Sequence, residues 1–149
     1  MKLLIQLKTV MVVAAMATGI NAYAQDTVIP TAQLPKTSQT FITKNFNKAK
    51  VSQAQKESIA GIAREYKVYL DNGTSIEFGR DGSWEEIENE QSGVPFSVAP
   101  ASIQNHIKQK FPNTFITKIE KKRYGYSVDI SNGLELEFDS KGNFTKIDD

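Results

Sequence analysis

The chain has 149 residues, with 18 Lys and Arg against 17 Asp and Glu, one His and no Cys. Charge so close to balance does not fit a general polyanion binder. The missing cysteine removes disulfides, thiol catalysis and Cys-ligated metals together.

Lys2 and Lys8 flank a short positive start, and residues 10–20 form a nearly unbroken apolar run. Ala22-Tyr23-Ala24 supplies a small-x-small pattern, so residues 1–24 are predicted to be a signal peptide cleaved before Gln25. The apolar run falls short of the roughly 20 residues that a membrane-spanning helix needs. Losing Lys2 and Lys8 leaves 16 basic residues against 17 acidic ones. The remaining chain is expected to be exported, most simply to a bacterial periplasm, and not to be embedded in the membrane. Its roughly 125 residues are enough to bury about two-thirds of their surface without covalent staples.

Residues 25–34 read as a flexible lead-in. Pro35 then opens a helix whose apolar side is Phe41, Ile42 and Phe46. A short strand is expected over 51–55, followed by about five extra residues near 57–61. Beyond it, Tyr66, Val68 and Leu70 alternate with Lys67, Tyr69 and Asp71, the period of a half-buried strand. A two-residue Asn-Gly turn would set Val68 opposite Glu77. The three-residue turn Asp71-Asn72-Gly73 instead sets Val68 opposite Ile76 and Tyr66 opposite Phe78, which keeps one face apolar. A second such turn at Arg80-Asp81-Gly82 brings Phe78 against Trp84.

Residues 91–97 carry the polar and Gly/Pro punctuation of a linker. Pro100 then opens a second helix, with Ile103, Ile107 and Phe111 at four-residue spacing and Phe111-Pro112 as its stop. A strand is predicted over 115–121. Sixty positions after the first meander, Tyr126, Val128, Asn132-Gly133, Glu137-Phe138, Gly142 and Phe144 repeat its pattern. Val128 is thereby set opposite Leu136, and Phe138 against Phe144. The predicted architecture is α+β. It comprises two tandem helix-plus-antiparallel-meander repeats, 35–90 and 98–149, of about four strands each, with the helices on one face of the sheet.

Pro100, Ile103, Ile107, Phe111-Pro112, Tyr126, Val128, Asn132-Gly133, Glu137-Phe138-Asp139, Gly142 and Phe144 resemble the PepSY-like family of small exported bacterial proteins, also called β-lactamase-inhibitor-like. The first half matches through Pro35, Tyr66, Val68, Asp71-Asn72-Gly73, Glu77-Phe78, Gly82 and Trp84-Glu85-Glu86-Ile87. Gly79 replaces the Asp139 of the second half, and the first helix lacks the Phe-Pro ending. The resemblance implies a tandem α+β fold shaped like a β-lactamase inhibitor protein, with no established catalytic residue to carry over.

Few residues offer chemistry. His106, the only histidine, stands beside the apolar stripe of the second helix, where a general base or metal ligand and a helix-edge residue are both possible. Without a partner His, a Cys or a nucleophile motif, no enzyme, cofactor or metal is expected. Asp139-Ser-Lys-Gly-Asn and Arg80-Asp-Gly-Ser faintly echo calcium loops, but turn chemistry accounts for both. Lys118, Lys121, Lys122 and Arg123 suit a charged edge strand, and export argues against nucleic acid as their partner. This run and the acids Glu85, Glu86, Glu88 and Glu90 either face each other or stand solvated, solvation being the expectation.

The polar side of the sheet is the candidate site, with Lys67, Tyr69 and Glu77 from the first half and Asp129, Glu135 and Glu137 from the second. The function read from the sequence is a periplasmic, non-enzymatic protein that docks an exported protein or peptide there, and that in a narrower form inhibits a secreted hydrolase. The alternatives are a small His106-dependent hydrolase or metal-dependent enzyme, and a ligand-sensing envelope accessory protein.

Overall fold

The computed structural model describes residues 23–148. The leader expected over 1–24 lies outside them, apart from Tyr23 and Ala24. Among the described residues nine antiparallel strands form one sheet in chain order, with two α-helices. The strands are β1 (Ala24–Val28), β2 (Val51–Ile59), β3 (Ile62–Leu70), β4 (Ser75–Gly79), β5 (Trp84–Glu88), β6 (Ile116–Lys122), β7 (Gly125–Ile130), β8 (Glu135–Asp139) and β9 (Phe144–Asp148). The helices are α1 (Lys36–Asn45) and α2 (Ala101–Lys110), entered from Pro35 and Pro100.

Hairpin registers follow the alternation. Val68 lies opposite Ile76 and Tyr66 opposite Phe78; Val128 lies opposite Leu136 and Tyr126 opposite Phe138. Each turn closes with a bond from the Leu70 or Ile130 N–H to the carbonyl four residues on. Gly73 and Gly133 take positive φ, +87° and +89°, the left-handed position that a three-residue turn requires. The next hairpins set Phe78 against Trp84 and Phe138 against Phe144, each with a bulge one residue before.

The two meanders join through β5 and β6, where Ile87 faces Ile119. One buried row therefore crosses the sheet, running Ala54, Val68, Ile76, Ile87, Ile119, Val128 and Leu136, each opposite the next. The row belongs to a single core that also takes Ile42 and Phe46 from the α1 region and Ile103 and Ile107 from α2. Phe41 meets Phe78 edge-on at 6.0 Å, and His106 meets Phe138 edge-on at 5.6 Å. The first turn of each helix touches a hairpin turn. Ser38 donates to the Gly82 carbonyl at 2.9 Å, and Ser102 fills the space beside Gly142.

Four expectations need correction. Residues 25–34, read as a loose lead-in, carry the edge strand β1 and a short 3₁₀ turn at Thr31–Gln33. β2 runs to Ile59 rather than stopping at 55, because the extra residues lengthen the β2–β3 hairpin, and β1 pairs with that extension. β6 is no edge strand, since its residues 118–120 pair with β5 as well as β7, and only Lys121 and Lys122 extend past β5. Nor are its charges simply solvated, for Lys118 Nζ lies 3.1 Å from Glu86.

The linker is tied down by Asn89. Its buried amide donates to the Asn72 carbonyl and to Thr74 Oγ1 and accepts from the N–H groups of Gln91 and Ser92.

Candidate functional site: the polar face of the sheet

Residues alternating with the buried row make a second surface. One line crosses it through Gln55, Lys67, Glu77, Glu86, Glu120, Ser127, Glu137 and Lys146. A neighbouring line runs through Tyr69, Ser75, Glu88, Lys118, Asp129, Glu135 and Asp148. All six residues named from sequence stand on this surface, but as two clusters. Three strand spacings, roughly 14 Å, separate β4 from β7.

In the first cluster Lys67 Nζ lies 2.6 Å from Glu77 Oε1, and its ammonium stands 5.8 Å from the centre of the Tyr69 ring. The bond to Glu77 holds the Lys67 amine above its ordinary pKa, partly offset by burial. Lys67, Tyr69 and Glu77 line a cavity of about 210 Å³ together with Asp26, Gln55, Glu57 and Glu65. Burial, then Glu77, Glu57 and Glu85, push the Glu65 carboxyl above its ordinary range.

In the second cluster Asp129 lies opposite Glu135. Burial and then the Glu135 charge raise the Asp129 carboxyl. Glu135 accepts a 2.5 Å bond from Ser127 Oγ, which with the nearby Lys122 holds its carboxyl below the usual range. Lys122 Nζ bridges Glu137 at 3.1 Å and Glu135 at 3.7 Å.

Asp26, Gln55, Glu57 and Glu65 were not singled out from sequence. Gln55 and Glu57 share the alternation of β2 and were legible in principle. Asp26 joins them only because β1 pairs with β2, which no local pattern announces.

His106 belongs to packing. Its ring stacks on Phe144 at 4.4 Å and 13°. Burial and the Lys110 charge lower its pKa.

The turns that echoed calcium loops use their carboxylates internally. Asp139 Oδ1 accepts from the N–H groups of Lys141 and Asn143, and Asp139 Oδ2 from the Asn143 amide. Asp81 accepts from the N–H and hydroxyl of Ser83. Among the described residues no three His, Cys, Asp or Glu converge closely enough to hold a metal ion, and no helix is long and apolar enough to cross a membrane.

A single antiparallel sheet carrying two helices, with one apolar and one polar surface, defines a small α+β protein whose accessible chemistry is carboxylates, lysines and a tyrosine. The family model described as "Putative beta-lactamase-inhibitor-like, PepSY-like" matches residues 20–61 and 64–146, and the chain belongs to that family. It is similar to the crystal structure of a putative calcium-regulated periplasmic protein from Bacteroides thetaiotaomicron, at 36% identity and TM-score 0.78, over 83% of this chain and 97% of the other. A putative periplasmic protein of the DUF2874 family from Bacteroides vulgatus is 35% identical with TM-score 0.77, over 88% of this chain and 100% of that one. A third, a putative periplasmic protein of unknown function from the same species, is 32% identical with TM-score 0.77, over 84% of this chain and 100% of that one. No curated protein matches the chain. The two turns that echo calcium loops do not offer a calcium donor set, because their carboxylates are bonded within the turns.

Proposed function

We propose that this chain is a non-enzymatic binding protein of the bacterial periplasm, docking an exported protein or peptide on the polar face of its sheet. Residues 1–24 act as the leader. Two tandem units, 35–90 and 98–149, joined by 91–97, place both helices on the apolar side and leave the other side open to a partner. The shared register of the buried row and the ring contacts of Phe41 and His106 support this arrangement. The periplasmic description of the similar structures supports the location.

One observation carries the docking reading. The sheet brings Lys67, Tyr69 and Glu77 together with Asp129, Glu135 and Glu137 on a single surface, although sixty residues separate the two groups in sequence. Recovery of partners from periplasmic extract, compared between the native chain and a Tyr69→Ala, Glu135→Lys, Glu137→Lys variant, tests it. Loss of a specific partner from the variant is expected; identical recovery removes this face from consideration. The narrower form, inhibition of a secreted hydrolase, draws on the family description alone. It is checked by adding the protein to a panel of peptidases and β-lactamases, where undiminished activity counts against it.

A further inference from the structure

Resting on the docking role proposed above, we infer that the partner presents a cationic segment, whose arginine or lysine side chains seat on the carboxylate row across β1, β2 and β3. Asp26, Glu57 and Glu65 stand directly opposite one another on those strands. At the next place in the row Gly79 has no side chain, and the Glu85 carboxylate fills the space. Like charges placed directly opposite destabilise a sheet. Lys67, which lines the same cavity, is bonded to Glu77 and offsets only a minor part of the repulsion that Glu65 feels. Among the described residues these four carboxylates have no ion-pair partner.

Charge is also sorted within the molecule. α1 and α2 contain lysines and no acid, whereas most of the carboxylates lie in the strands, so a nearly neutral chain presents an acidic sheet surface. A cationic partner complements that surface and relieves its repulsion, and such complementarity speeds encounter and selects among partners. A guanidinium suits the row better than a metal ion. The carboxylates are spread at roughly 4.8 Å per strand rather than gathered around a point, and a planar fork reaches two neighbours.

The test uses the exported chain and fluorescein-labelled hexa-arginine, hexa-glutamate and hexa-serine, read by fluorescence anisotropy. Calcium chloride alone is titrated by calorimetry. Hexa-arginine is expected to bind, to bind more weakly as salt rises, and to lose about tenfold in affinity with Glu57→Gln/Glu65→Gln, equivalent to about 1.4 kcal/mol. Glu90→Gln, outside the strands, leaves binding unchanged. Because the glutamines remove repulsion, the variant keeps its fold, which circular dichroism verifies. Equal affinity for the double variant overturns the inference, as does stoichiometric calcium binding that displaces the peptide. A photoreactive residue at position 69 separates the two levels. Crosslinking to hexa-serine or hexa-glutamate in place of hexa-arginine rejects the cationic partner and keeps the face as a docking surface. Crosslinking to no peptide and to no periplasmic protein rejects both.

Discussion

At position 106 the second half of the chain carries an imidazole where the first half carries the phenyl ring of Phe41. Both rings meet the sheet's aromatic pairs: Phe41 against Phe78 and Trp84, His106 against Phe138 and Phe144. The His106 pKa is lowered in the fold from an ordinary value near 6.5. The unfolded chain therefore binds the proton more readily, so the stability His106 contributes is present above pH 6.5 and is lost as pH falls through the folded value. His106→Phe is expected to flatten that acid limb in thermal melts taken from pH 8 to pH 5, and an unchanged limb would assign it to other groups. Gly79 gives a second case. Glu85 occupies the place of its missing side chain, whereas Thr145 follows Phe144 in the second half and Asp139 is accommodated. Gly79→Asp should destabilise the protein, and adding Glu85→Ala should recover most of the loss in a double-mutant cycle read by urea unfolding.

Each hairpin is fixed by its own alternation, but the seam between β5 and β6 has only long-range support. Ile87 opposite Ile119, the Lys118–Glu86 pair and the bond from the Asn89 N–H to the Thr117 carbonyl hold it, and the Asn89 side chain ties the same corner to the β3–β4 turn. Replacing Asn89 by Ala strips Thr74 Oγ1 and the Asn72 carbonyl of a buried donor and leaves the N–H groups of Gln91 and Ser92 without their acceptor. A loss of about 1–3 kcal/mol is expected from denaturant titration. By contrast, the Lys118–Glu86 pair is partly exposed, and Lys118→Met is expected to cost no more than about 1 kcal/mol.

Across the molecule, one core runs from Ile29 to Phe138 without interruption. Ile119 is wholly buried at its middle. Ile119→Ala is expected to cost about 2–5 kcal/mol, and the variant should still unfold in a single transition in calorimetry, because both halves share that core. Two separated transitions would show that each meander holds together alone. The same continuity gives the acidic face its breadth: one sheet lays both polar clusters on one side, while the lysine-bearing helices contain no acid to offset them.

Periodicity alone specified both helices, the hairpin turns and the pairing of Val68 with Ile76 and Val128 with Leu136, because alternation of period two leaves only one register with an apolar side. Lys67, Tyr69, Glu77, Asp129, Glu135 and Glu137 followed as the residues alternating with that side. Tertiary structure decided what local pattern does not encode: that β5 joins β6 in one sheet, that β1 pairs with the lengthened β2, and that Asp26, Glu57 and Glu65 consequently stand in line. Such pairings are set by backbone hydrogen bonds between segments tens of residues apart, and those bonds leave no periodic mark on either segment.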